Sequence, residues 1–255
     1  MGVAFFLSSL TVQGMKILFR IDRPWVLDAA FEPVAGAKDT ATGYSFPSGH
    51  TQNATALYGS LGAQVKQKPW KILLFFIPVL VGYSRMYLGV HTLQDVVVSL
   101  VITFLLIWVA VKIFSSDGSD KKKELIISLV IILYAVIVIV IATVLYSNGK
   151  IEERYIADCL KAAGAGIGFA VGMYIERVYI KFSVKSKNIL WHAIKFVIGI
   201  VVVIGLQEGL KPIIGTGLIA NMIRYIIVLS WITVFFPLII KRFFSVKESE
   251  PEKAE

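Results

Sequence analysis

The chain has 255 residues, of which 56% are hydrophobic, and its mean hydropathy is +0.74. This composition excludes an ordinary soluble domain and indicates several membrane-spanning helices. The net charge is +9, but no nucleic-acid-binding motif occurs, so we interpret the basic residues as loop charges beside membrane helices. The single Cys159 excludes an internal disulfide, and no HExxH or CxxC pattern indicates a metal site.

Apolar runs predict four membrane helices in each half of the chain. In the first half they are 3–19, 51–65, 72–87 and 93–114, with a polar loop over 20–50. In the second half they are 125–146, 157–180, 189–207 and 218–240. We therefore expect an all-α, polytopic membrane bundle of about eight transmembrane helices.

The predicted domain organisation follows from these runs. A first helical region over 1–115 is followed by a basic loop over 116–124, a four-helix membrane region over 125–240 and a charged tail over 241–255. In the membrane region, Gly164, Gly168 and Gly172 recur every four residues and so share one helix face. We expect this face to pack within the chain, with a homodimer as the alternative.

Three polar clusters interrupt the apolar first half, and charge at membrane depth usually marks a functional site. They run from Lys16 to Arg23 and Pro24, from Pro47 to His50, and from Ser84 and Arg85 through His91 to Asp95.

The residue types of these clusters fit phosphate chemistry. Lys16, Arg23 and Arg85 are cations that match phosphate oxygens. Ser48 and Gly49 immediately precede a predicted helix, whose first N–H groups form a natural anion site.

Two histidines accompany these cations. His91 and Asp95 are spaced i, i+4 and share a helix face, so the carboxylate can orient the imidazole. A histidine so held can act as a nucleophile, while His50 can act as a general acid. Together the clusters describe phosphoryl transfer without a metal or other cofactor.

The distribution of Lys and Arg predicts the orientation. With eight alternating spans, the basic loops near Lys66, Lys121 and Lys181 and the basic tail all fall on one side, which the positive-inside rule makes cytoplasmic. The three polar clusters then face outward. We expect a multi-pass protein of a bacterial inner membrane.

The order Lys-x6-Arg-Pro, Pro-Ser-Gly-His and Ser-Arg-x5-His-x3-Asp resembles the type 2 phosphatidic acid phosphatase (PAP2) superfamily, in its membrane lipid phosphatase branch. The resemblance covers roughly residues 1–115 and implies a metal-independent phosphatase acting on a lipid phosphate or diphosphate. It implies that His91 forms a phosphohistidine, that Asp95 orients it and that His50 protonates the leaving oxygen. It also implies that the phosphate is bound by Lys16, Arg23, Ser48, Gly49 and Arg85.

The resemblance also implies a six-helix core with the first motif at the end of the third helix. Here Lys16 lies near the end of the first predicted helix, so we expect two leading helices of that core to be missing.

Several functions remain open at this stage. A phosphotransferase would use the same phosphohistidine with an acceptor other than water. A non-enzymatic lipid-binding or transport protein would not need an intact His50, His91 and Asp95, and a vanadate-dependent peroxidase does not fit a multi-span chain. The lipid itself is left open among undecaprenyl diphosphate, phosphatidate, phosphatidylglycerol phosphate and sphingoid phosphates.

Overall fold

The computed structural model describes residues 1–113, 120–182 and 189–244. Within these ranges the chain is helical with connecting turns and no strand, which confirms the predicted all-α class. Residues 114–119, which include the start of the predicted basic loop, and most of the charged tail (245–255) lie outside the described residues.

The first half begins with a long helix and a loop that contains one short helix. Its helices are α1 (Gly2–Phe19), α2 (Pro24–Leu27), α3 (Gly49–Ala54), α4 (Ser60–Gln64), α5 (Lys68–Tyr87) and α6 (Leu93–Ile113). A π-helical turn, Thr55–Gly59, joins α3 to α4 and makes them one continuous helix over 49–64.

The second half is built from two pairs of long helical runs. Its helices are α7 (Lys121–Ser147), α8 (Glu153–Ile175), α9 (Ile189–Gly209), α10 (Lys211–Ile214), α11 (Leu218–Ser230) and α12 (Phe236–Phe244). α7 begins earlier than the hydropathy pattern predicts, because the Asp120 carboxylate accepts a hydrogen bond of 3.1 Å from the N–H of Lys123. This N-cap draws three lysines of the predicted basic loop into the first turn of the helix.

Among the described residues, seven helical runs are long and apolar enough to cross a membrane. The continuous helix over 49–64 falls short, at about 24 Å for a rise of 1.5 Å per residue. It nevertheless connects the two ends of the bundle. Ser48 contacts Asp95 at one end, whereas Gln64 lies beside Gly2 and Ala110 around a cavity at the other. The described residues therefore form seven candidate membrane spans and one shorter helix that runs between the same two ends, in the polytopic helical bundle that the sequence predicts.

α8 is the central helix of the second half and packs against α1, α7 and α11. Three of its four glycines, Gly164, Gly168 and Gly172, allow the last helical run, which is formed by α11, a π-helical turn over Trp231–Phe235 and α12, to approach closely. A Cβ atom on Gly164 would lie 2.4 Å from the carbonyl oxygen of Met222, and one on Gly172 would lie 1.7 Å from Thr233 Oγ1. The structure therefore gives no support to the homodimer considered as an alternative for this face, because the chain itself covers it.

The second half also packs directly on α1, which carries the first polar cluster. A Cβ atom on Gly166 would lie 3.3 Å from the side chain of Leu10. Farther along α1, Tyr134 donates a hydrogen bond of 3.1 Å to Thr11, and Cys159 Sγ lies 3.8 Å from the carbonyl oxygen of Gln13. The two halves of the chain thus share one packed interface.

We predict that Gly168→Leu lowers the stability of the protein by about 1–3 kcal/mol, the usual cost of overpacking. A Cβ atom there would lie 2.7 Å from the backbone oxygen of Ile226, so α8 and α11 would have to separate. Gly205→Leu on α9 is the matched control, since nothing lies within 4 Å of its Cβ position. Thermal melting in detergent compares the two variants, and equal melting temperatures would contradict the packing described here.

Candidate active site

The site is organised at the start of α6, where Thr92 and Asp95 cap the helix reciprocally. The N–H of Thr92 donates to Asp95 Oδ2 at 2.7 Å, and the N–H of Asp95 approaches Thr92 Oγ1 at 3.4 Å. This pattern is a capping box with aspartate at the third helical position. The cap fixes the Asp95 carboxylate at the membrane-helix end, one turn from His91.

The same carboxylate oxygen binds two further side chains. Ser45 Oγ donates to Asp95 Oδ2 at 2.6 Å, and Nδ1 of His91 lies 3.3 Å from that oxygen. Asp95 and His91 are only 2% and 4% exposed, so the pair is shielded from water. With its proton on Nδ1, the His91 ring points Nε2, the potential nucleophile, away from the carboxylate.

Arg23 approaches that second nitrogen. Its Nη1 lies 3.0 Å from His91 Nε2 and donates to the carbonyl of Val90 at 2.7 Å. Its Nε and Nη2 donate to the carbonyls of Gly43 and Thr42, both at 3.0 Å. These contacts hold the guanidinium beside Nε2 of His91.

Lys16 is buried beside the same loop and donates from Nζ to the carbonyl of Tyr44. The carbonyls of three consecutive residues, Thr42 to Tyr44, therefore hold the two cations of the first cluster. This loop lies near the end of α1, since the N–H of Ser45 donates to the carbonyl of Ile21 at 2.8 Å.

The second cluster is tied to the third through the backbone of Ser48. Its N–H donates to the carbonyl of Asp95 at 3.1 Å, and its carbonyl accepts from Ser99 Oγ at 2.8 Å. Ser48 Oγ caps α3 by accepting from the N–H of Thr51 at 3.4 Å. The N–H of Ser48 is thus engaged, which leaves Gly49 and His50, in the first helical turn, to present N–H groups to an anion.

Arg85 and His50 lie at the more open part of the site. Nε and Nη2 of Arg85 are inaccessible to solvent yet have no hydrogen-bond partner in the described part of the chain. His50 is exposed. Although the residue as a whole is exposed, partial desolvation is the first cause that lowers the pKa of His50, followed by the charges of Arg85, Arg23 and Lys16. All three cations therefore act on one small region, which is suited to binding a multiply charged anion.

For His91, burial is the main cause that lowers the pKa, to about 4, and the charges of Arg23 and Lys16 act in the same direction. The hydrogen bond to Asp95 opposes this shift but does not cancel it. His91 is therefore neutral near pH 7, with a lone pair on Nε2.

The structure brings the predicted residues of all three clusters to one end of the bundle. The sequence reasoning missed the residues that hold them in place: Ser45, Thr92, Ser99 and the carbonyls of Thr42, Gly43 and Tyr44. Of these, only the Thr-x-x-Asp spacing of the capping box was visible as a pattern in the sequence.

Comparisons with known proteins match both halves of the chain. A model described as the PAP2 superfamily matches residues 1–119, which contain all three clusters. A second model, described as the transmembrane extension of PAP2 superfamily phosphatases, matches residues 160–248.

Phosphatidylglycerophosphatase B of Bacillus subtilis (strain 168) is 44% identical over an alignment of 62 residues, and this alignment covers 21% of this chain and 30% of that relative. The chain thus aligns with about a third of the length of the relative. No solved structure matches the chain.

We predict that the stability of the protein falls as the pH is lowered from about 6.5 to about 4, and that His91 contributes to this fall. The unfolded chain binds a proton at His91 near pH 6.5, whereas the folded protein binds it only near pH 4. As the pH falls through this window, His91 is therefore protonated in the unfolded state before it is protonated in the folded state, which favours unfolding. His91→Gln should show a shallower loss of melting temperature between pH 7 and pH 4.5.

His192→Gln serves as the control for this measurement, because it removes a histidine of α9 and leaves the site intact. The slope of His91→Gln is compared with the slopes of this variant and of the wild type. A slope for His91→Gln as steep as that of the wild type would contradict the assignment of a neutral, buried His91.

Proposed function

Because the chain belongs to the PAP2 superfamily, we propose that it is a membrane phosphatase that removes the terminal phosphate of a lipid phosphate through a phosphohistidine. The observation that carries this proposal is the buried arrangement around His91. Asp95 lies against Nδ1 at 3.3 Å, and Arg23 lies against Nε2 at 3.0 Å. The carboxylate holds the proton on Nδ1, and a phosphate that replaces Nε2 as the partner of Arg23 would lie within reach of the Nε2 lone pair.

The proposed reaction has two steps. Nε2 of His91 attacks phosphorus, the N–P bond forms, and the bond from phosphorus to the lipid oxygen breaks while His50 donates a proton to that oxygen. Water then attacks phosphorus, His50 takes up a proton of this water, and the N–P bond breaks to release inorganic phosphate. Asp95 stabilises the positive charge that His91 acquires in between.

The transferring phosphoryl group is proposed to lie among Lys16, Arg23 and Arg85. The Arg85 guanidinium supports this role, because its Nε and Nη2 are buried without a partner and would gain one from a phosphate oxygen. The N–H of Gly49 and the hydroxyl of Ser48 would complete the phosphate-binding site at the start of α3. Three side-chain cations supply the charge that Mg²⁺ supplies elsewhere, so we propose that the reaction needs no metal.

Binding of substrate would also favour the protonated form of His50, which general acid catalysis needs. Burial and, after it, the charges of the three cations lower the pKa of His50 in the free site. A phosphate dianion offsets this positive field, so the pKa of His50 rises when substrate binds and the ring acquires the proton it later donates. General acid catalysis would then be coupled to the presence of substrate.

We propose a glycerophospholipid phosphate as the substrate class, and phosphatidylglycerol phosphate as the first lipid to test. The relative's name, phosphatidylglycerophosphatase B, supports this choice. Undecaprenyl diphosphate, phosphatidate and sphingoid phosphates present the same terminal phosphate and complete the panel. An added alcohol acceptor separates hydrolysis from phosphotransfer, because transfer would convert the acceptor into a phosphate ester instead of releasing phosphate.

We predict that His91→Ala lowers phosphate release by a factor of about a thousand or more, the usual effect of removing a nucleophile. The assay uses purified protein in detergent with EDTA present, and His192→Ala is the control that should keep wild-type activity. A rate for His91→Ala above about a tenth of wild type would rule out the phosphohistidine. Wild-type activity that EDTA abolishes and Mg²⁺ restores would rule out the metal-independent mechanism.

We propose further that the site faces outward from the cell membrane. More of the basic residues that flank the helices lie toward the opposite end of the bundle, near Lys66, Lys121 and Lys181. The substrate phosphate would then come from the outer leaflet.

We predict that a cysteine at Asp39 is labelled by a membrane-impermeant thiol reagent on intact cells, whereas a cysteine at Gln67 is not. Both positions are exposed and lie at opposite ends of the bundle, and a Cys159→Ala background removes the native thiol. Permeabilised cells, in which both cysteines should react, provide the control. Labelling of Gln67→Cys alone on intact cells would invert the topology and assign the substrate to the cytoplasmic leaflet.

A further inference from the structure

The loop that binds the two buried cations rests on a side chain from the second half of the chain. The rings of Tyr44 and Tyr155 stack with their centroids 4.1 Å apart and their planes only 9° from parallel. Tyr155 lies in the first turn of α8 and is 8% exposed. Its ring also faces Gly43, where an added Cβ atom would lie 3.7 Å from Cε1.

This stack affects the site because the backbone carbonyls of the loop bind the two buried cations. The carbonyls of Thr42 and Gly43 accept from the Arg23 guanidinium, both at 3.0 Å, and the carbonyl of Tyr44 accepts from Lys16. A shift of this short segment would therefore move both cations. Through Arg23 it would also change the contact to His91 Nε2.

Neighbouring contacts hold Tyr155 itself in place. Arg154 Nη2 donates to the Tyr155 hydroxyl at 3.0 Å, and its guanidinium lies 4.8 Å from the centre of the ring. One turn along α8, the buried Cys159 approaches the carbonyl of Gln13 on α1 at 3.8 Å. The start of α8 is thus fixed against both the loop and the helix that carries Lys16.

We infer that Tyr155 is a positioning residue for phosphate binding: by stacking on Tyr44 it holds the carbonyls of 42–44 that orient Arg23 and Lys16. This inference rests on the proposed function for the roles of those two cations. It assigns to the second half of the chain a part in the active site, although none of the three polar clusters lies there. Flat, parallel contact is the property required, so phenylalanine should replace Tyr155 and leucine should not.

The test measures the binding of orthovanadate to purified protein in detergent by calorimetry, with kcat, KM and melting temperature determined in parallel. Tyr155→Leu should weaken binding by about tenfold, a factor that corresponds to about 1.4 kcal/mol. Tyr155→Phe should stay within about twofold of wild type, as expected if stacking carries the effect. Tyr174→Leu is the matched control, because Tyr174 lies near the other end of α8, against Tyr179, and should leave binding unchanged.

Tyr44→Leu removes the same stack from the loop side without altering a membrane helix, and should weaken orthovanadate binding as Tyr155→Leu does. The double variant should bind no more weakly than either single variant, since only one contact is lost. Wild-type affinity for orthovanadate in a folded Tyr155→Leu variant overturns the inference. If that variant does not fold, wild-type affinity in Tyr44→Leu overturns it instead.

The outcomes separate the inference from the proposed function. Orthovanadate binding that depends on Tyr155, in a wild-type protein that releases no phosphate from any lipid, would support the inference while the proposed function fails. If the wild-type protein releases phosphate fully but its binding of orthovanadate does not depend on Tyr155 or Tyr44, the proposed function is supported and the inference fails. A wild-type protein that binds no orthovanadate overturns the inference together with the phosphate-binding roles of Lys16 and Arg23.

Discussion

An ionised carboxylate buried at the end of a membrane helix is costly unless hydrogen bonds and nearby positive charge compensate it. Asp95 meets this condition with partners from several parts of the chain. Its side chain accepts hydrogen bonds from Ser45 and from the N–H of Thr92 and lies against His91, while its backbone carbonyl accepts from Ser48. The polar clusters meet at this point because each supplies a partner to the same buried group or to its neighbour. The membrane thus enforces the geometry, since any separation would leave a charge unpaired.

The side chains of the candidate site were predictable because polar residues are energetically costly in an otherwise apolar membrane chain and are therefore rare in its sequence. Lys16, Arg23, His91 and Asp95 are all buried at one end of the bundle, as the spacing of the clusters indicates. The groups that orient the cations were not predictable, because backbone carbonyls carry no signal in the sequence. The carbonyl of Gly43, for example, is positioned by loop conformation and tertiary packing alone.

For helix boundaries and helix-packing partners, too, local sequence predicts one part and tertiary packing determines the rest. Hydropathy missed the start of α7, since a lysine-rich first turn has the composition of a loop, although Asp120 caps it as part of the helix. The spacing of Gly164, Gly168 and Gly172 predicted a closely packed face, but a single sequence does not state what packs there. The structure identifies the last helical run of the same chain as the partner.

The short helix over 49–64 has a consequence for the surrounding lipid. At about 24 Å it is shorter than a bilayer hydrocarbon core of about 30 Å. Leu57 and Leu61 on this helix are 38% and 39% exposed, so part of its surface meets acyl chains. Hydrophobic mismatch of this kind is relieved by local thinning of the bilayer. Headgroups beside the helix would then lie closer to the bilayer midplane, and a lipid phosphate would travel a shorter distance along the membrane normal to reach His91.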